Sequence, residues 1–287
     1  MEVLKKSPLL VALLLVAGVA GAAPCDRDCL RKTITQYLDA MLRHDPSKLP
    51  LASSVRFTED QQELKLGEGL WKSIDSLTGF RQDILDVKQG IAGVHVKVIE
   101  NGKPVLAAIR IQMEGRNISG VESLLVRSRE EGALFNVDNI QQASAGMNLV
   151  PVAGQRNSRA EMQRIALLYP EGLRVGSFVT AGTPFAKDAY RFENGMLMAG
   201  AKCTFRAGCE DIRGQKLPEL AHIRAMVAAV DEEQGIVWLR MDFGKSPVRE
   251  VGELSMFEMF KVYGGQIQAV EAFMKVVPLD TPLLWKY

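Results

Sequence analysis

Three carboxylates stand in stretches that are otherwise apolar, where a carboxyl can do proton-transfer chemistry. Glu122 lies in ISGVESLLVR (118–127), Asp242 in IVWLRMDF (236–243) and Glu258 in LSMFEMFKV (254–262). Burial among apolar groups raises a carboxyl's pKa toward neutrality, where it works as general acid or base. These three are the candidate catalytic residues. Candidate ligand-binding groups are Arg240, Trp238, His222, Arg110 and Trp71. Alternation puts Leu106, Ala108, Arg110 and Gln112 on one face, and Gly120, Glu122, Leu124 and Val126 on one face of the next strand. It groups Trp238, Arg240 and Asp242 in the same way, and Met256, Glu258 and Phe260. Each group has a plainer reading. Arg110 and Glu122 make an ion pair on a wetted face, Trp238, Arg240 and Asp242 line an interface, and Trp71 packs a helix onto a sheet. His95, in VHVKV, reads as an exposed or hydrogen-bonded histidine. Asp138 and Glu271 each follow a Val in the last strand of a unit and read as structural equivalents.

The elements that must hold these groups follow from periodicity. Leu30, Ile34, Tyr37, Leu38, Met41 and Leu42 form a helical stripe that Pro46 ends. GEGLWKSIDSL (67–77) reads as a second, shorter helix. Strands are expected over 94–99 and 105–112, joined by a turn containing Asn-Gly, then over 118–127 and 133–141. A further helix starts at Ser158 with capping-box partner Glu161, and Pro170 is expected to interrupt it. Strands over 223–230, 236–243, 254–262 and 266–275 complete the chain.

The order of elements occurs twice, and so do two short stretches. VRFTEDQQELKLG (55–67) matches YRFENGMLMAG (190–200), and GALFNVDNI (132–140) matches GQIQAVEAF (265–273). The offsets, 135 and 133, point to a duplicated unit. The expected organisation is residues 1–23 as signal peptide, 24–147 as repeat one, 148–157 as linker and 158–287 as repeat two. The expected fold is α+β, as two tandem cone-shaped domains. In each, helices pack on a curved, mainly antiparallel sheet whose wide end is a hollow for a small ligand. The repeats are expected to form an intramolecular pseudo-dimer.

Lys5 and Lys6, the apolar run Leu9–Val19 and the small residues Gly21, Ala22 and Ala23 have the pattern of a cleavable secretory signal. Pro24 disfavours lipid attachment at Cys25. Without residues 1–23 the basic and acidic residues balance at 33 each, so neither nucleic acid nor, after cleavage, a membrane is an expected partner. Four cysteines in an exported chain favour disulfides, and of three connectivities the local one pairs Cys25 with Cys29 and Cys203 with Cys209. Their spacings do not fit a zinc site, and no metal is expected. The expected location is periplasmic or secreted.

VDEEQGIVWLRMDF and ELSMFEMFKVYGGQIQAVEAFM, within Ile223–Val276, resemble the SnoaL-like branch of the nuclear transport factor 2-like superfamily, and YRFENGMLMAG fits its early segment. The first repeat, with CDRDCLRKTITQYLDAMLRHDPSKLPLASSVRFTEDQQ and GVESLLVRSREEGALFNVDNI, looks like a related family of exported domains of unknown function in bacteria and fungi. The resemblance covers nearly all of the mature chain. It implies a cofactor-independent lyase, isomerase or dehydratase acting on an apolar hydroxylated or carbonyl compound. It equally accommodates a non-catalytic carrier or sensor of an apolar ligand, or a protein-interaction module, because fold alone does not set function. No catalytic motif of the superfamily's enzymes is recognisable here. GxSxG, P-loop, HExxH and dinucleotide fingerprints are absent too.

Overall fold

A computed structural model describes residues 24–244 and 252–287. The expected signal segment, 1–23, lies outside the described residues. The first unit starts with helix α1 (Arg27–Leu42), capped by the Asp26 side chain, which accepts from the Cys29 amide at 2.9 Å. Six strands follow: β1 (Leu51–Glu59), β2 (Gln62–Leu64), β3 (Ile74–Asp86), β4 (Ile91–Glu100), β5 (Lys103–Glu114) and β6 (Asn117–Val126). Short helices α2 (Arg129–Gly132) and α3 (Ala145–Asn148) lead to α4 (Arg159–Arg174) and α5 (Phe178–Ala181). The second set of strands is β7 (Phe185–Glu193), β8 (Met196–Ala199), β9 (Arg224–Asp231), β10 (Ile236–Asp242), β11 (Glu253–Tyr263) and β12 (Gln266–Val277).

The sheets have the same order, β2-β1-β6-β5-β4-β3 and β8-β7-β12-β11-β10-β9. Among the described residues only the β1–β6 and β7–β12 pairings are parallel, so the fold is α+β with mainly antiparallel sheets, as expected. Three apolar clusters hold it. One lies between α1 and the first sheet, one between α4 and the second, and one between the sheets, where Phe80, Leu106 and Leu124 meet Trp238, Phe257 and Phe273.

Four local expectations change. Residues 67–77 are not a helix. A single 3-10 turn, Gly69–Lys72, holds Trp71, and the 13-residue strand β3 begins at Ile74. Its shifts in register mask the strand alternation in the sequence. Residues 133–141 are not a strand. They leave β6 through α2 and a 3-10 turn over Val137–Asn139. The match of 132–140 to 265–273 therefore pairs a connecting segment with strand β12. Asp138 and Glu271 are not equivalent, because Asp138 lies in that turn. Finally, α4 runs through Pro170 to Arg174. Its last turn buries Leu173 beside Tyr169, and packing outweighs the lost amide.

The contact between the sheets is dense with charge. Arg27 at the start of α1 bonds Asp231 at the end of β9 at 2.7 and 3.0 Å. Reciprocally, Arg159 at the start of α4 bonds Asp86 at the end of β3. Asp231 also accepts from the Leu85 amide and Asp86 from the Val230 amide, so both carboxylates are satisfied by the opposite unit. Gly93 makes room for Trp238, since a Cβ there would lie 2.5 Å from the indole. The Trp238 indole N–H donates to His95 Nε2 at 3.1 Å, and His95 stacks on Phe273 with ring centres 4.3 Å apart. Full burial holds the imidazole's pKa down to about 3, so it is neutral in the folded chain. Of the two readings given for His95, exposed or hydrogen-bonded, the structure shows the hydrogen-bonded one, in a buried position.

Candidate functional site

A cavity of about 410 Å³ opens between α4 and the concave face of the second sheet. Its walls are apolar, with Leu173, Met198, Leu220, Phe243, Met256 and Met274. The polar groups that line it are Tyr169 from α4, Arg191 and Glu193 from β7, and Glu258 from β11, with Arg206 on the 203–209 loop. Alternation along β11 turns Met256, Glu258 and Phe260 to this face, and Phe257 and Met259 to the other sheet. Register then sets the row. Glu258 faces Ala272 on β12, and Ala272 faces Glu193 on β7. The methyl side chain between them leaves the two carboxyls room to approach.

Glu258 is buried and its Oε2 has no hydrogen-bond partner. Its pKa is pushed up to about 8, first by burial and then by the Glu193 charge, against the Arg191 guanidinium and a Tyr169 hydrogen bond. Near neutral pH it is the protonated acid. Arg191 donates to the Tyr169 hydroxyl at 3.2 Å and lies 3.0 Å from Glu193 through Nε. Its pKa is raised, although burial alone would lower it, by Tyr169, Glu193 and Glu258. Burial likewise raises Tyr169. One carboxyl is thus held neutral and its neighbour ion-paired, an arrangement that separates acid from base.

The mouth is built from loops. The Cys203–Cys209 disulfide closes a short loop carrying half-exposed Phe205 and Arg206, and Leu217 and Leu220 are tied to α4 and the residue pair beyond it by backbone hydrogen bonds. Ala133 and Leu134, which follow the first sheet, close one side. Cys25 and Cys29 form the other disulfide at the start of α1, so of the three connectivities open in the sequence the local one is present. Replacing Cys203 and Cys209 by serine is expected to cost about 2 kcal/mol of chain constraint. By calorimetry the second unit should melt roughly 4–8 °C lower, while Cys25→Ser/Cys29→Ser should leave ligand affinity at the mouth unchanged.

Of the residues singled out in the sequence, Glu258 reaches this cavity. Arg240, Asp242, Glu122, Trp238 and Arg110 are brought together elsewhere, buried between the sheets. Arg240 bonds Glu122 at 3.2 Å and Asp242 at 2.9 Å, and Arg110 donates to the Ala228 carbonyl. The C-terminal segment covers this group, with the Tyr287 hydroxyl 2.5 Å from Glu122 and the Tyr287 ring under Arg110. His222 is exposed, beside a polar cleft shared with Arg224 and Glu253. Trp71 is buried in the first core, edge-on to Tyr37 and donating to its hydroxyl at 3.0 Å. Trp71→Ala is expected to cost about 3–5 kcal/mol in urea unfolding and to leave ligand binding by the second unit unchanged.

Sequence reasoning missed Tyr169, Arg191 and Glu193. Tyr169 looks like one more apolar position on a helical stripe. Arg191 and Glu193 alternate in YRFENG, which is a usable signal, but the parallel pairing of β7 with β12 is what brings them to Glu258.

A family model described as a domain of unknown function (DUF8021) matches residues 155–274. That is the second unit, whereas in the sequence the likeness to domains of unknown function falls on the first. Comparison with curated proteins gave no match. Among solved structures, the chain is similar to a de novo designed protein with a curved β-sheet, at 18% identity over 35% of this chain and 88% of that one, TM-score 0.31. It is similar to an NTF2-like protein of unknown function from Cytophaga hutchinsonii ATCC 33406, at 11% identity over 35% of this chain and 91% of that one, TM-score 0.29. A de novo designed NTF2 fold protein shares 14% identity over 38% of this chain and 92% of its own, TM-score 0.29.

Proposed function

We propose that the second unit is a cofactor-independent acid–base catalyst for a small, largely apolar compound bearing a hydroxyl or carbonyl group. The observation that carries this reading is buried Glu258, its Oε2 without a hydrogen-bond partner and its pKa raised by burial, lining a mostly apolar cavity beside ion-paired Glu193. Glu258 donates its proton to the substrate oxygen, either a carbonyl being enolised or a hydroxyl leaving as water. Glu193 takes the proton from the adjacent carbon, and Arg191 stabilises the charge that develops between them. Isomerisation of this kind moves protons only, and elimination also breaks the C–O bond and releases water as the C=C bond forms; neither needs an oxidant or a reductant. A cavity of about 410 Å³ suits a ligand of small to drug-like size.

The same reading assigns Arg240, Asp242, Glu122, Trp238 and Arg110 to holding the two units together as a pseudo-dimer of diverged copies. Identical strand orders and the reciprocal pairs Arg27–Asp231 and Arg159–Asp86 support it. Two disulfides fit an oxidising compartment, and among the described residues no helix is long and apolar enough to cross a membrane. With the signal-like first 23 residues, these features support export.

The test is a thermal-shift screen of the oxidised protein against small aromatic, terpenoid and steroid-like alcohols and ketones, with each stabilising compound re-analysed by mass spectrometry. A hit that loses water or isomerises supports the reading. Hits that all return unchanged, with stabilisation that survives Glu258→Gln, would replace it with a carrier.

A further inference from the structure

A second, smaller cavity of about 240 Å³ lies on the opposite face of β12, where the segment after the first sheet crosses the second. Its chemistry differs from that of the larger one. Phe80, Phe192, Phe273 and Ile140 supply aromatic and apolar surface, and among the described residues Glu271 is the one charged side chain lining it, with no Lys, Arg or His. The Glu271 carboxyl is held in place. Ser144 donates to Oε1 at 2.6 Å and the Tyr190 hydroxyl donates to the same oxygen at 3.0 Å, which leaves Oε2 for an incoming group. Burial raises the Glu271 pKa, opposed by the two hydroxyls and by no neighbouring cation. A cation seated beside it would offset that burial and favour the charged carboxylate. Aromatic faces beside an uncompensated carboxylate attract organic cations, whose charge the rings and the carboxylate share.

Phe273 is also fixed rather than adaptable. One of its faces is stacked on neutral His95, and Phe80 lies 5.9 Å away at a tilt of 44°. The cavity walls come from both units, since Phe80 belongs to β3 while Phe192 and Phe273 belong to β7 and β12. We propose that this cavity between the units binds a small organic cation, a substituted ammonium group seated among Phe80, Phe192 and Phe273 against the Glu271 carboxylate. It is separate from the Glu258 cavity, with which it shares no lining residue.

The test is calorimetric titration of the full oxidised chain with choline and with its neutral isostere, 3,3-dimethylbutan-1-ol. Saturable binding of choline, with the neutral alcohol at least about tenfold weaker, is expected. Glu271→Gln should weaken choline by about tenfold or more while leaving the neutral alcohol unchanged. Phe273→Leu, which keeps the site apolar, should weaken choline as well. Glu258→Gln should bind choline as the wild type does, so failure of the acid–base reading and failure of this one are separable. Equal affinity for the two probes, no saturable binding of choline, or choline binding lost in Glu258→Gln and retained in Glu271→Gln would each overturn the proposal.

Discussion

Glu258→Gln is expected to lower turnover by about a hundredfold or more while leaving the shape of the cavity intact, since the amide matches the acid in size. The substitution also has a readout that needs no substrate. The folded carboxyl holds its proton up to about pH 8, whereas an unfolded glutamate releases it near 4.5. Between those values the folded state binds more protons, so stability falls as pH rises through the window. The loss is on the order of 4 kcal/mol at its upper limit. His95 works in the opposite sense. Its folded pKa of about 3 lies below the unfolded value of about 6.5, so the unfolded state binds more protons and stability rises with pH over that interval. The two slopes oppose each other from pH 4.5 to 6.5 and separate above it. Urea unfolding at pH 6.5 and 8 should therefore show a decline in the wild type that is distinctly smaller in the glutamine variant. An equal decline in both proteins would mean that Glu258 ionises normally, and the acid–base reading would lose its acid.

Arg240→Met is expected to cost about 3–5 kcal/mol. Arg240 is fully buried, and its removal takes the buried cation from both Asp242 and Glu122, leaving Glu122 its bond from the Tyr287 hydroxyl. The cost belongs to the orphaned charges more than to the lost pair. Accordingly, Arg240→Met combined with Glu122→Gln and Asp242→Leu is expected to recover most of the stability. Urea unfolding of the single and triple variants measures both numbers. A single variant within about 1 kcal/mol of wild type would show that the network is solvated, and that the junction between the sheets is looser than its packing implies.

The cavity and the charged junction look alike along the chain, and that is why the sequence could not sort them. Glu258 and Asp242 each sit in a strand rich in Met, Phe and Trp, and each alternates with large apolar groups. What separates them is which face of the second sheet meets α4 and which meets the first sheet. A strand shows that it has two faces, and both faces here are apolar because both are covered. Residues near in sequence go to different places for the same reason: Trp238, Arg240 and Asp242 turn to the junction while Val237, Leu239 and Met241 turn to the α4 core.

Local signals were sufficient where the physics is local. The α1 stripe, the Ser158 cap and the Asn101–Gly102 turn depend on residues within a few positions of one another, and all are present. Which of the three disulfide connectivities forms is seen in the structure, not in the sequence. The α+β class followed because the order of helices and strands is itself a sequence property. Only tertiary structure could bring Glu193 across Ala272 to Glu258, stretch β3 through the segment that looks helical, or leave Glu271 alone among aromatic rings. Each depends on pairing between strands far apart in the chain. One residue of slip in that pairing would turn every side chain to the opposite face.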